Sequence, residues 1–305
     1  ADSNTALGYA SLSANTTGDS ITSVGTDSMK LNTTGRLAAA FGVNALYNHT
    51  TGQFNAAIGK DAGYGITSGS YNTAVGGQTL FTSNTASYNT AVGYGSLFAN
   101  TTGTQNTALG ANALDANTTA NYNTAIGKDS LGLNTTGNSN NAVGAGSLDA
   151  NTTGTANNAF GVNALGANTT ASNNTAIGHS ALLSNTTGQN NVAIGYQALD
   201  ANTTGSTNTA VGIGSLGGNT TGHGNTAVGR EALKVSTTGG YNTALGRNAL
   251  AANSTGNNNI GIGFEALRSN TTAGNNVAIG YEALEQNTTA NNNTGIGYFA
   301  LRANT

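Results

Sequence analysis

A period of 17 residues runs through the whole chain. One glycine recurs at this interval, from Gly8 and Gly25 to Gly297, without an insertion or a deletion. Eighteen copies follow one another with the consensus G/A-x-x-N-T-A-[VIL]-G-x-x-[AS]-L-x-x-N-T-T. We number the repeat positions from 1 to 17, starting at Ala1. Repeats built from helix pairs need about 33 residues or more, so this period excludes them.

The consensus predicts a short strand in every copy. Its N-T-A-[VIL]-G segment alternates and is rich in β-branched residues, and the A-L-x-x-N-T-T segment reads as a second strand or extended side. We therefore predict an all-β fold, a β-solenoid (parallel β-roll) of eighteen 17-residue coils. Coils that stack about 4.8 Å apart would form a rod of roughly 85 Å. Residues 1–305 are expected to be a single repeat domain, a fragment or stackable unit of a longer fibre.

The apolar positions of the repeat predict the core. Position 7 is apolar in every copy and position 12 is Leu in sixteen. In the middle of the chain the expected core ladder consists of Val92, Leu97, Leu109, Leu114, Ile126 and Leu131. Two large side chains per coil make a thin interior, and chains with little core often need partner chains. Positions 6 and 11 are always small, which indicates close backbone approach, so we favour a parallel homotrimer over a monomer.

Asparagine recurs at positions 4 and 15, in sixteen and fourteen copies. Stacked coils would place these side chains in ladders of amide hydrogen bonds. The position-15 residues also begin Asn-Thr-Thr, which fits the N-glycosylation acceptor pattern. The residues concerned include Asn100, Asn117, Asn134, Asn151, Asn168 and Asn185. Both interpretations stay open, and we favour the ladder.

Tyrosines recur at positions 3 and 9, which would stack them on the surface. They include Tyr71, Tyr88, Tyr94, Tyr196, Tyr281 and Tyr298. Surface aromatic side chains in such an array either cover seams between subunits or bind sugars. We favour the seams.

Charge is scarce and confined. All charged residues lie at positions 2, 9, 10 and 13, which must face solvent because burying an unpaired charge is costly. Nine Lys and Arg against 12 Asp and Glu give no basic patch, so we expect no nucleic-acid partner. No apolar run approaches the roughly 18 residues of a membrane-spanning helix, so we expect no membrane insertion.

Candidate catalytic and metal-binding residues are few. His49, His179 and His223 belong to distant coils, so we expect them to be exposed and to form no metal site. Glu265 and Glu282 share position 10 in adjacent coils, so we expect them to lie about 5 Å apart, a separation that would suit a glycosidase pair. For these two glutamates we favour a solvated face. For Arg268, Glu285 and Arg302 we favour a ladder of surface salt bridges. We predict no enzymatic activity and no cofactor.

Two motifs carry a resemblance to known families. They are N-T-A-V-G at 89–93, followed by S-L at 96–97, and N-T-T-G at 100–103. This pattern resembles the repeat region of bacteriophage tail fibre proteins. It is also similar to the head repeats of trimeric autotransporter adhesins, although those repeats are shorter. The resemblance implies trimeric chains, an extracellular or virion-surface location, and binding of a cell-surface glycan or receptor through fibre tips.

The leading functional prediction is a structural fibre shaft, in a viral tail fibre or a cell-surface adhesin, that presents a rigid rod for surface attachment. One alternative is a self-assembling extracellular filament, sugar-coated if the Asn-Thr-Thr sites are glycosylated. Another is an ice-binding β-solenoid, since Thr is plentiful at positions 16 and 17. Neighbouring residues of a strand point to opposite faces, so a flat side there would carry Asn-x-Thr and not Thr-x-Thr.

Overall fold

A computed structural model describes residues 2–304, and the fold is an all-β solenoid in which each 17-residue coil contributes one three-residue strand. The chain divides into two compact units, Ala1–Thr155 and Ala156–Thr305, although the repeat itself continues unbroken through this boundary. The first unit contains β1 (Thr5–Leu7), β2 (Thr22–Val24), β3 (Ala39–Phe41), β4 (Ala56–Ile58), β5 (Thr73–Val75), β6 (Thr90–Val92), β7 (Thr107–Leu109), β8 (Thr124–Ile126) and β9 (Asn141–Val143). The second unit contains β10 (Asn158–Phe160), β11 (Thr175–Ile177), β12 (Val192–Ile194), β13 (Thr209–Val211), β14 (Thr226–Val228), β15 (Thr243–Leu245), β16 (Ile260–Ile262), β17 (Val277–Ile279) and β18 (Thr294–Ile296).

Within each unit, successive strands pair in parallel with a constant register. Thr90 pairs with Thr107, and the next two residues of β6 pair with the next two of β7. The same offset of one repeat holds for β10 with β11 and for the strands that follow. Because every coil has the same length, each residue lies beside its equivalent in the next coil.

The second strand expected in each coil does not form. In the coil that contains β7, the residues after the strand, 111–116, form turns. Gly110 has a φ of 146°, and both Asn112 (55°) and Leu114 (53°) adopt the left-handed conformation. Two left-handed residues in alternate positions curl the chain repeatedly, so this side of the coil cannot extend into a strand.

The core is narrower than the apolar pattern predicts. Leu97, Leu114 and Leu131 of the expected core ladder are fully buried at position 12. Alanines at position 6, such as Ala108, and small residues at position 11, such as Ala113, fill the remaining apolar interior.

The prediction that position 7 also belongs to the core is wrong. Val92, Leu109 and Ile126 lie at the ends of their strands with their side chains on the outer face, and Leu109 is 47% exposed. Strand alternation allows only one of positions 6 and 7 to point inward. The interior has no room for a larger side chain at position 6: alanines there, such as Ala108, are fully buried, and even a Cβ added at Gly261 would lie 3.1 Å from the Ala266 carbonyl oxygen and 3.2 Å from Leu250 Cγ.

This packing also explains why positions 6 and 11 are always small. Positions 6 and 11 meet each other inside one coil, as where Ser23 Oγ donates to Ser28 Oγ (2.9 Å), and position 6 also packs against the leucine of the preceding coil, as Gly261 does against Leu250. Their size therefore needs no partner chain to explain it.

Candidate functional surfaces

The asparagines at position 15 form a buried ladder. Asn117 donates from Nδ2 to Asn100 Oδ1 (2.8 Å) and to the Ala120 carbonyl (3.2 Å), and it accepts from Asn134 Nδ2 (3.2 Å). The six residues that the sequence singles out are all completely buried: Asn100, Asn117, Asn134, Asn151, Asn168 and Asn185.

This burial bears on the glycosylation interpretation. A glycan must be attached at Asn Nδ2, and Nδ2 of both Asn117 and Asn185 makes two hydrogen bonds inside the fold. The folded coils therefore leave no space for a sugar at these asparagines.

A second asparagine ladder runs along position 4. The Asn106 backbone N–H donates to Asn89 Oδ1 (3.0 Å), and Asn106 Nδ2 donates to the Ala120 carbonyl (2.8 Å). Asn106 Nδ2 also donates to Asn89 Oδ1 (3.3 Å), so this side chain joins its own coil to the coils before and after it. The two ladders satisfy buried polar groups that would otherwise destabilise so thin a core.

One histidine replaces asparagine in the position-15 ladder. His49 is completely buried, which corrects the expectation that it is exposed. Its Nδ1–H donates to Asn32 Oδ1 (2.8 Å), and its Nε2 accepts from Asn55 Nδ2 (3.1 Å). Burial lowers the pKa of His49 to about 4, so the ring is neutral at pH 7. His179 and His223 are exposed.

Threonines at position 16 add a ladder of hydroxyl groups. Thr118 Oγ1 donates to the Thr135 carbonyl (3.1 Å), and Thr101 Oγ1 donates to the Thr118 carbonyl (3.0 Å). These hydroxyls are engaged between coils, which removes them from the Thr array that ice binding would need.

The six candidate tyrosines are all exposed, and most of them stack on a neighbour. Tyr71 stacks on Phe54 and on Tyr88, with centroids 4.9 Å apart in each pair. Tyr281 stacks between Phe264 (5.0 Å) and Tyr298 (5.3 Å).

The remaining two tyrosines have different neighbours. Tyr196 stacks on His179 at 5.6 Å, and Tyr94 donates from its hydroxyl to Gln78 Oε1 (2.8 Å). In the longer stacks, rings cover the faces of their neighbours, which leaves sugars only the ring edges and the outermost faces.

A further aromatic ladder occupies position 13 of four consecutive coils, and we did not predict it. Its centroid separations are 5.2, 5.1 and 5.1 Å. The members are Tyr47, Tyr64, Phe81 and Phe98. Charged residues share this position in other copies, so the signal lies in the four adjacent copies and not in the consensus.

The charged residues near the end of the chain form ion pairs. Arg268 contacts Glu265 (Nη1–Oε2, 3.1 Å), and Arg302 contacts Glu282 (Nε–Oε2, 2.8 Å). Glu285 lies within 3.8 Å of both arginines. The alternation of charge predicted for Arg268, Glu285 and Arg302 is present. Of the two residues expected on a solvated face, Glu265 is half-buried and Glu282 is nearly buried, so they do not form an open face.

Three aspartates cluster in the first unit. Burial, together with the nearby Asp129 carboxylate, raises the pKa of Asp115 and of Asp149. A hydrogen bond from Lys128 lowers the pKa of Asp129. Within residues 2–304, no group of three His, Cys, Asp or Glu side chains could hold a metal ion.

The outer side of the strand ladder is an uncharged surface. We name it the strand face and define it as repeat positions 3, 5 and 7. In the coils of β6 and β7 it consists of Tyr88, Thr90, Val92, Gln105, Thr107 and Leu109. No copy has a charged residue at any of the three positions.

No family model matches the chain, and no curated protein sequence matches it. The described residues contain no helix with the length and apolar character to cross a membrane.

Proposed function

We propose that the chain is a structural fibre shaft, of the kind found in a viral tail fibre or a cell-surface adhesin. The observation that carries this proposal is the constant register of one repeat between adjacent coils within each unit. An uninterrupted register is what a stiff, length-defining element requires.

The hydrogen bonds favour a mechanical role. Backbone N–H groups of one coil donate to carbonyls of the next, as from Leu97 to Ala113 (3.0 Å) and from Ala99 to Asp115 (2.9 Å). Asparagine and threonine side chains add bonds in the same direction. Bonds that all run from coil to coil resist extension and bending of the stack.

The proposal includes partner chains and a location. A core of one leucine and a few small side chains per coil supports assembly into a homotrimer. The same fibre would lie outside the cell or on a virion, where its tip meets a cell-surface glycan or receptor.

Electron microscopy of the purified chain tests the shaft. The proposal predicts elongated particles, and removal of six whole coils (residues 104–205) should shorten them by about 29 Å. The matched control removes residues 104–202, which breaks the register at the junction, and should give particles that are divided or bent there instead of one shortened particle. Compact particles, or particles whose length ignores the number of coils, would reject the shaft.

Ice binding is a second candidate, and one observation favours it. The strand face carries exposed threonine and aliphatic columns, as at Thr107 and Leu109, in place of the Asn-x-Thr side considered from the sequence. A thermal hysteresis assay on the native chain tests this function. Freezing and melting points that coincide at millimolar protein would reject it.

A further inference from the structure

The strand face has the size of a protein interface. Each unit contributes nine coils and three columns to it, which is 27 positions. At the spacings of a parallel sheet, positions 3 to 7 of the nine coils in one unit cover a surface of about 43 Å by about 17 Å. This area of roughly 730 Å² is close to the approximately 800 Å² and 20–30 residues that each partner contributes to a stable interface.

Its chemistry is that of an interface core. The position-7 column is apolar in every copy, and many of its members are substantially exposed, among them Phe41 (40%), Ile58 (48%) and Leu109 (47%). Extended apolar patches on a free surface are uncommon in monomeric proteins. The absence of charge from all three columns matches the depletion of charge at interface centres.

The strand face is not flat. Between columns 3 and 5 of the second to fourth coils lies a hollow of about 420 Å³. Leu37 and Phe54 form one side of it, while Ala39 and Ala56 form the other where most copies have threonine. A hollow between projecting apolar side chains can receive an apolar side chain from a partner.

We propose that a second copy of this chain covers the strand face. The position-7 ladder repeats at the spacing of adjacent strands, about 4.8 Å, and a second copy has the same spacing over the same number of coils. A partner with another period would lose its match within a few coils. This inference rests on the proposed function, because it locates the contact through which the chains of a shaft associate.

A matched pair of leucine substitutions tests the contact. Leu109 lies on the strand face and Leu133 lies at position 14, outside it, and the two are similarly exposed (47% and 55%). The masses of the native chain, Leu109→Lys and Leu133→Lys are measured by light scattering after size-exclusion chromatography. Circular dichroism of each variant establishes that its coils are folded.

We expect the native chain and Leu133→Lys to have a multiple of the 30.0 kDa chain mass. Leu109→Lys should dissociate at least tenfold more readily while keeping the native spectrum. Assembly that survives Leu109→Lys would overturn this location and leave the shaft proposal standing. A native chain that is monomeric at all concentrations would overturn both, and thermal hysteresis lost only in Leu109→Lys would identify ice as the occupant instead.

Discussion

At the residue scale, the asparagine ladders carry the specificity of stacking. Asn185 is completely buried, donates to Asn168 Oδ1 (3.1 Å) and to the Gly188 carbonyl (2.9 Å), and accepts from Asn202 Nδ2 (2.8 Å). Replacing it with aspartate removes both donors and points a carboxylate at two acceptor oxygens. We expect Asn185→Asp to lower the free energy of unfolding by about 3 kcal/mol or more at pH 7, measured by urea denaturation.

An exposed asparagine nearby provides the control for this substitution. Asn190 is exposed at position 3, so Asn190→Asp should change the free energy of unfolding by less than about 0.5 kcal/mol. If the two variants were equally stable, the ladder would have no energetic role.

His49 makes the first unit sensitive to acid. Its folded pKa of about 4 lies below the ordinary value of 6.5, so the unfolded chain binds the proton more readily. The stabilisation is fully present above pH 6.5 and is lost as the pH falls toward 4, by about 3 kcal/mol in total. Protonation would also turn Nε2 into a donor that faces the Asn55 Nδ2 donor.

Urea denaturation between pH 7 and pH 4 measures this effect. His49→Asn restores the residue that most copies have at position 15 and should remove the histidine's share of the pH dependence. Identical pH profiles for the native chain and His49→Asn would show that the histidine does not titrate as we describe.

At the element scale, the sequence predicts the strand but not the turns beside it. Position 10 often carries Asn, Asp or Gly, residues that tolerate the left-handed conformation. Position 12 is leucine, which gives no such signal, yet Leu114 has a φ of 53°. The left-handed backbone costs about 1–2 kcal/mol, and full burial of the leucine contributes about 1.5–3 kcal/mol. Burial therefore overrides the local preference.

The glycine that follows each strand cannot be replaced by a residue with a side chain, unlike the left-handed positions that follow it. A Cβ at Gly110 would lie 2.4 Å from the Gly127 carbonyl oxygen, at a φ of 146°. We expect Gly110→Ala to lower the melting temperature by at least 5 °C, because both strain and a backbone clash oppose the side chain.

Gly132 supplies the control for this glycine. It lies at position 13, which other copies fill with larger residues. A Cβ there would lie 2.7 Å from the flexible end of Asp149, and the nearest backbone atom, the Asp129 carbonyl oxygen, is at an ordinary contact distance of 3.5 Å. Gly132→Ala should melt within about 2 °C of the native chain. Equal melting of the two alanine variants would contradict the turn geometry.

At the scale of the whole molecule, the period alone predicts the fold class, because equal coil lengths require parallel pairing in a constant register. The asparagine ladders follow from the same argument. The inward or outward direction of position 7 does not, since positions 6 and 7 are both apolar and only the width of the coil decides between them. The role of the strand face cannot be predicted from the repeat, because the pattern of one chain does not show which molecule covers its apolar surface.

The stacking of 17-residue coils is most directly tested by cysteine cross-linking, because the chain has no cysteine of its own. Ala99, Ala116 and Leu133 occupy position 14 of three successive coils. Adjacent coils are about 4.8 Å apart, within disulfide range, whereas alternate coils are about 9.6 Å apart and outside it.

The measurement is the yield of intramolecular disulfide under mild oxidation, read by mass spectrometry. The stacked coils predict a high yield for the double variant Ala99→Cys with Ala116→Cys, and almost none for Ala99→Cys with Leu133→Cys. Equal yields for the two pairs, or a higher yield for the second, would contradict the solenoid.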